Sequence, residues 1–384
     1  MTSLVTRVAA VERLLHLGPE AAQGALVDEP AGLRLARTQL GSGATSLLLA
    51  GPCDAEWVLH WPADGEPSAW RWPVDPGLPV LQRVAGLPDI LTGPGWSPAV
   101  PVGAIGAIDR VGYKPARRAT FRVELGARRY VLKLVCRADL PAALQAGRFA
   151  AVLPAQLARA PEMVASSEVL GAVLLDYLPG TPLDQLEPAA RREPLAAVPA
   201  LLAGLHGGSV DDLATGQAAG DGLPAWDAAQ VTRKLDALTT AVDGTAPGVA
   251  GAARRVTATV AGRLAAPREP GVLMHGDLSL RNLVWSAEPP PGAPQLGVID
   301  WDRAAIGPRE ADLSPLVGLL GVAAGSLVED YERASGRPVD RPLLDALVGA
   351  NRLARTLRRA ADRRDTLART RAAVATIAAG LRAD

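Results

Sequence analysis

Lysine is nearly absent from this chain. Of 40 basic residues only Lys114, Lys133 and Lys234 are lysines, and the rest are arginines. Together with abundant Ala, Gly and Pro, that bias is the mark of a GC-rich genome, and it makes each lysine informative. Neither sign of charge is in excess, with 40 basic against 40 acidic residues, so no bulk field draws the chain to nucleic acid or to a membrane surface. Cysteine is scarce too. Cys53 and Cys136 lie far apart without metal-ligand spacing, which suits a reducing, cytoplasmic setting. No uninterrupted apolar run reaches membrane-spanning length. The first 17 residues read as an amphipathic helix with Arg7, Glu12 and Arg13, and lack the apolar core and cleavage site of a signal peptide. At 384 residues the chain has room for two or three lobes, and it shows no internal repeat.

What is present concentrates in two segments. Met274-His275-Gly276-Asp277-Leu278-Ser279-Leu280-Arg281-Asn282 is followed by Val298-Ile299-Asp300-Trp301-Asp302. Asp277 and Asn282 have the spacing of a kinase catalytic loop, H-x-D-x-x-x-x-N. Phosphoryl transfer needs a carboxylate beside the attacking hydroxyl to orient it and take its proton, a role that suits Asp277. It also needs hard oxygen ligands for magnesium, few of them from the protein, which suits Asn282 and Asp300. The flanking runs at 272–274, 283–285 and 296–299 are short and apolar. They read as strand, catalytic loop, strand, turn and strand, with Asp300 at the last strand's end. The turn at 288–294, rich in proline, lengthens the Asn282 to Asp300 separation in a hairpin loop that leaves both ligands in place.

H-G-D-x-x-x-x-N followed by I-D-W-D resembles the aminoglycoside phosphotransferase and choline kinase-like superfamily, from about residue 100 to the end. The resemblance implies an α+β, bilobal, protein kinase-like fold. It has a five-stranded antiparallel N-lobe sheet and a mostly helical C-lobe, with an additional N-terminal α/β domain here. It implies a phosphotransferase with an alcohol group as acceptor, using ATP or GTP and Mg2+. The acceptor class is open: a sugar-containing metabolite, a natural product or antibiotic, or a peptide Ser or Thr. A pseudokinase acting by protein interaction is the alternative, against which stand all four of Lys133, Asp277, Asn282 and Asp300. In this family the histidine of the motif shapes the loop, so His275 is expected to be structural, as is His206.

Upstream, residues 104–111, 119–125 and 130–135 read as three strands, the last carrying Lys133 among apolar neighbours. A lysine there is costly unless an anion pairs with it, and nucleotide phosphates are that anion in kinases. A lysine snorkelling from a half-exposed strand is the plainer reading. Gly112-Tyr113-Lys114-Pro115-Ala116-Arg117-Arg118 stands where kinases carry a glycine-rich loop. Arg117 and Arg118 either take over phosphate contacts from backbone amides or form a solvated basic turn. No glutamate falls in 137–161, which leaves Glu162, Glu168 or Gln145 as partners for Lys133. The run ending at Asp176-Tyr177-Leu178 resembles the family hinge, whose backbone meets the adenine edge.

Residues 1–100 are expected to form the extra domain, 101–180 the N-lobe and hinge, and 181–384 the C-lobe. Five of the eight tryptophans fall in the first of these. The segments at 56–61 and 68–72 flank Asp64-Gly65 as a hairpin. Its tryptophans serve as core in place of phenylalanine, or as a platform for a ring-bearing substrate. Residues 73–101 read as a linker or irregular arm. Asp312 either caps a helix or braces the catalytic loop. The arginines from Arg352 to Arg371 form a solvated face or disfavour a cationic acceptor.

Overall fold

In the computed structural model the chain divides into two compact units. The described residues are 10–12, 14–17, 22, 25, 33–40, 44–50, 56–62, 65–81, 90–91, 95–101, 103–208, 224–243, 246–265, 271–321, 324–361 and 367–381. The first unit comprises 1–140, 165–174 and 358–365, and the second 141–164, 175–357 and 366–384.

The first unit opens with a four-stranded antiparallel meander, β1 (Arg34–Leu40), β2 (Ala44–Ala50), β3 (Glu56–Pro62) and β4 (Ser68–Arg71). Alternation decides its faces. Leu47, Leu49, Trp57, Leu59 and Trp61 cluster with Ala10, Val11 and Leu14 of the preceding helical segment. Trp61 donates its indole N–H to the Leu15 carbonyl at 3.1 Å. Trp57, Trp61 and Trp70 are buried, so the packing reading holds for these three. The hairpin between β3 and β4 is present, with Trp57 opposite Arg71 and His60 opposite Ser68; Ala63 and Asp64 of its turn lie outside the described residues.

A second sheet follows in the order β5-β6-β7-β9-β8, as expected for a five-stranded N-lobe. Its members are β5 (Ile105–Lys114), β6 (Arg118–Leu125), β7 (Arg128–Val135), β8 (Met163–Ser167) and β9 (Ala172–Asp176). β5, β6 and β7 form an antiparallel meander. β5 is longer than the sequence pattern suggests, because Gly112, Tyr113 and Lys114 continue pairing with Thr120, Ala119 and Arg118. The basic loop therefore shrinks to the three residues 115–117, and Arg118 opens β6. α1 (Leu140–Ala151) precedes β8.

The second unit is mainly helical: α2 (Arg192–Gly207), α3 (Ala228–Asp243), α4 (Pro247–Leu264), α5 (Glu310–Leu320), α6 (Ala324–Ser335), α7 (Arg341–Ala361) and α8 (Leu367–Gly380). Its core gathers Leu201, Leu202 and Leu205 of α2, Leu313 and Leu316 of α5, Tyr331 of α6 and Leu344 of α7 around Leu273, Leu283 and Val298. Each such side chain withdrawn from water contributes about 1.5–3 kcal/mol. Among the described residues no helix is long and apolar enough to cross a membrane.

Short strands embedded in that core carry the motifs. β11 (Val272–Met274) pairs antiparallel with β14 (Ala305–Gly307). β12 (Leu283–Trp285) pairs with β13 (Leu296–Val298) and with β10 (Thr181–Pro182). The prolines of 288–294 sit in the loop between β12 and β13, which Ser286 N–H closes on the Gln295 carbonyl at 3.0 Å.

Candidate active site

The register of β12 and β13 brings the motif ends together. Leu283 faces Val298, so the residues just beyond, Asn282 and Ile299, meet, and Ile299 N–H donates to the Asn282 carbonyl at 2.9 Å. Asp300 follows immediately. Seventeen residues of sequence thus collapse to one step beyond a ladder rung, whatever the length of the proline loop. Asp300 has φ +65°, a left-handed conformation that aspartate tolerates better than most residues and that marks functional turns.

The 275–282 loop is fastened from several sides. Asn282 is buried and donates its Nδ2–H to the Asp277 carbonyl at 2.8 Å. That orientation leaves Oδ1, the hard donor, for other use. His275 is fully buried, contacts Trp301 at 4.8 Å between ring centroids, and donates Nε2–H to the Ile299 carbonyl at 2.9 Å. Its Nδ1 accepts the Asp277 N–H at 3.3 Å, which fixes the neutral tautomer. His275 is structural, as expected. Gly276 has φ +77°, and a Cβ there would sit 2.0 Å from the Arg303 carbonyl oxygen, so the motif admits only glycine at this position.

Asp312 braces the loop from α5. Its carboxylate is fully buried and accepts the backbone N–H groups of His275 at 2.6 Å and Gly276 at 2.7 Å. His206 of α2 approaches the same carboxylate through Nε2 at 3.4 Å, while its Nδ1 meets the Tyr331 hydroxyl at 2.8 Å. Burial pushes the Asp312 carboxyl up, but the hydrogen bond and charge of His206, with the backbone N–H of His275, outweigh it and leave it below the usual range. Burial also raises the Tyr331 phenol, to about 12, so it remains a donor. Of the two roles open to Asp312 on sequence grounds, the brace is the one seen.

Asp277 itself is partly exposed. Its Oδ2 accepts from Arg281 Nη2 at 2.9 Å, one helical turn along the loop. Sequence reasoning missed Arg281, although it stands inside the motif beside Asn282. It missed Arg159 as well. Arg159 exchanges backbone hydrogen bonds with Leu296 and Val298 of β13 at 2.9 and 2.8 Å, and its guanidinium reaches the Pro179 and Gln295 carbonyls at 3.3 Å. Nothing in the residue pattern marks it, since its backbone makes half of these bonds.

Asp176 ends β9 and donates its N–H to the Glu162 carbonyl at 2.9 Å. Tyr177 and Leu178 follow, half-buried. Leu178 packs so closely on β13 that a Cβ at Gly297 would lie 2.3 Å from its Cδ2. In the first unit, Lys133 of β7 is only 5% exposed, between fully buried Leu132 and Leu134, and it pairs in register with Thr120. Arg117 forms a two-pronged ion pair with Asp139, Nη2 to Oδ1 at 2.6 Å and Nε to Oδ2 at 3.0 Å. The one acidic residue of the 137–161 stretch therefore serves the turn arginine.

Set against known proteins, the chain matches a model of the phosphotransferase enzyme family over residues 114–347. No curated protein matches it. Among solved structures, the GDP complex of aminoglycoside 2'-phosphotransferase-IIIa is 16% identical, covering 77% of this chain and 96% of that chain with a TM-score of 0.50. Macrolide 2'-phosphotransferase MphH from Brachybacterium faecium is 20% identical, covering 73% and 93% with a TM-score of 0.47. A choline/ethanolamine kinase family protein from Mesorhizobium loti is 18% identical, covering 72% and 88% with a TM-score of 0.46.

Proposed function

The chain belongs to the phosphotransferase enzyme family, with an alcohol group as acceptor, and from that premise we propose that it moves the terminal phosphoryl group of ATP, or of GTP, to a hydroxyl of a neutral or anionic small molecule. The observation that carries the reading is the β12–β13 register, which sets Asn282 beside Ile299 and so next to Asp300, with the Asp277 carbonyl tied to the Asn282 side chain. Asp277 orients the acceptor hydroxyl and takes its proton as the oxygen attacks the γ-phosphorus, whose bond to the β–γ bridging oxygen breaks to release the nucleoside diphosphate. Asn282 Oδ1 and the Asp300 carboxylate are the hard oxygens that fit magnesium, a cation that keeps most of its ligands as water and phosphate. When bound, the ion supplies charge neutralisation at the phosphate oxygens. Lys133 pairs with phosphate from its apolar strand, Arg117 and Arg118 supplement it, and the backbone of Asp176, Tyr177 and Leu178 takes the purine edge. The proposed domain limits stay at 1–100, 101–180 and 181–384.

Two observations favour a neutral or anionic acceptor. Arg281 places a guanidinium 2.9 Å from the proton-accepting carboxylate, where an ammonium group would be repelled. Of the acidic residues able to hold a polycation, Asp211, Asp212 and Asp221 lie outside the described residues. Asp227 is engaged with Arg233 at 2.5 Å and caps α3 through the Ala229 N–H at 2.8 Å. The test is an ATP-consumption screen over hydroxylated metabolites, sugars and natural products, with kanamycin and related aminoglycosides included. Turnover is expected with a neutral or anionic acceptor and to be poor with aminoglycosides. Efficient phosphorylation of kanamycin would overturn the acceptor class and leave the phosphoryl transfer intact. Failure to bind any nucleoside triphosphate would overturn the whole reading.

A further inference from the structure

The irregular stretch after β4 holds a carboxylate that the chemistry above does not use. Asp75 is fully buried, with 0% of its surface exposed. Its Oδ1 accepts the Gly77 N–H at 2.8 Å. Its Oδ2 accepts the Tyr113 hydroxyl at 2.6 Å and the Ala116 backbone N–H at 2.9 Å. Trp70 of β4 donates its indole N–H to the same hydroxyl at 3.0 Å. Tyr113 ends β5 and Ala116 is the middle residue of the β5–β6 turn, so every distant donor on Asp75 belongs to that turn or its stem.

A buried carboxylate is costly, and an apolar contact would dock two sheets at less expense. What the carboxylate adds is direction, because it reads the position of one backbone N–H. The turn needs such a fixture. Ala116 has φ +57°, a left-handed conformation that costs a residue with a Cβ about 1–2 kcal/mol. Gly77 closes over it from the other side: a Cβ there would lie 2.4 Å from the Ala116 carbonyl oxygen. Further ties run to the stem. Gln39 of β1 donates to the Tyr113 carbonyl at 2.9 Å, and the Trp72 ring meets the Tyr113 ring edge-on at 4.6 Å. Arg110 of β5 lies over Trp72 at 4.3 Å and pairs with Glu56 of β3 through both oxygens, at 2.5 and 3.0 Å. Burial and the Asp75 hydrogen bond push the Tyr113 phenol far up, so it stays a donor.

We propose that Asp75 is a positioning residue for nucleotide binding, holding the β5–β6 turn from the N-terminal region in the shape that nucleotide phosphates meet. This rests on the reading that the turn and its arginines face those phosphates. In a glycine-rich loop the shape is available to the backbone itself. Here Pro115, Ala116 and Arg117 replace the glycines, and the shape is imposed by a side chain about forty residues upstream. The N-terminal sheet is thereby a structural part of the nucleotide site.

Two variants reach the turn by different physics. Asp75→Asn sets an amide N–H against the Ala116 N–H or, with the amide flipped, against the Gly77 N–H, and Gly77→Ala drives a methyl into the Ala116 carbonyl. Each should raise the KM for ATP about tenfold, the loss of one charge-assisted hydrogen bond or its equivalent, while the acceptor KM stays within about twofold. Amide exchange of the peptide covering 114–118, measured without nucleotide, should quicken in both. Glu56→Gln, which removes one tie of the stem away from the turn, should move both readouts less than Asp75→Asn does. If Asp75→Asn does not fold, Tyr113→Phe removes one donor and should give a smaller rise in the ATP KM alone. Unchanged exchange, an unchanged ATP KM, or equal shifts in both KM values would overturn the proposal. So would a Glu56→Gln effect as large as that of Asp75→Asn. Failure of the phosphoryl-transfer reading shows separately, as wild-type protein that binds no nucleotide.

Discussion

Two fully buried aspartates do the same mechanical work in different ways. Asp312 accepts two backbone N–H groups of the catalytic loop and a contact from His206. Asp75 accepts the N–H of Gly77, the N–H of Ala116 and a hydroxyl from Tyr113. The loop under Asp312 carries its own glycine at the left-handed position, Gly276, so brace and backbone agree. The turn under Asp75 carries alanine there and is held against its preference. Asp312 also falls inside the stretch matched by the family model, residues 114–347, whereas Asp75 falls before it. A loop whose shape is written into its own residues can be recognised from a motif. A turn shaped from outside cannot.

Chemistry and scaffolding separate most sharply at Asp277. Asp277→Ala should lower kcat by about 10²–10⁴-fold, the range for losing a positioned general base, with nucleotide affinity nearly unchanged. Its backbone N–H and carbonyl, which tie it to His275 and Asn282, survive the substitution. Near-normal turnover, measured by coupled assay, would break the assignment. If nucleotide affinity fell in step with kcat, Asp277 would belong with the scaffolding instead.

Asp312→Ala should cost about 3 kcal/mol in urea unfolding, since two buried N–H groups and His206 lose their acceptor together. The pH dependence follows from the direction of its shift. A carboxyl depressed in the folded state contributes stability above its unfolded value, near 4, and that stability is lost as pH falls through the folded value. Wild-type protein should therefore lose stability on acidification below about pH 4, and Asp312→Asn should lose less over the same interval. Identical acid limbs in the two proteins would remove Asp312 from the account.

The contrast between the two braces also explains how much was legible in the residues. The nearness of Asn282 and Asp300 was readable because their spacing follows from a hairpin register. The strands at 272–274, 283–285 and 296–298 were readable because short apolar runs between turn formers have few other uses. Gly276 was quoted as part of a motif, but its reason, the Arg303 carbonyl 2.0 Å from a Cβ, exists only in three dimensions. The 73–101 stretch read as an irregular arm because proline and glycine dominate it. That reading left no room for Asp75, whose role depends on residues about forty positions away. Arg159 escaped notice for a related reason, because a backbone contact leaves no trace in side-chain identity. The basic loop is shorter than the residue pattern suggests, since strand pairing through Tyr113 and Lys114 overrides the turn propensity of Gly112.

Smaller effects sharpen the picture of the turn. Replacing Arg117 and Arg118 together with Ala should raise the ATP KM several-fold and leave the acceptor KM alone, if guanidinium groups supplement Lys133 at the phosphates. Stability should hardly move, because the Arg117 side chain is 65% exposed and an exposed ion pair such as that with Asp139 contributes little. Equal changes in both constants would favour a solvated turn.

The smallest expected effect is the most direct probe of strain. Ala116→Gly removes the penalty of the left-handed conformation, about 1–2 kcal/mol, and adds the chain entropy that glycine loses on folding, about 0.5–1 kcal/mol. The single variant should therefore be stabilised by about 0 to 1.5 kcal/mol in denaturant unfolding, with the ATP KM near wild type because Asp75 still fixes the turn. Combined with Asp75→Asn, the same glycine should recover part of the lost nucleotide affinity, since the backbone then reaches the shape without being forced. That non-additivity is the signature of two groups acting on one turn. A double variant in which the two effects simply add would mean that Asp75 and Ala116 act independently. The turn would then resemble the Gly276 loop in shape but not in the way the shape is held.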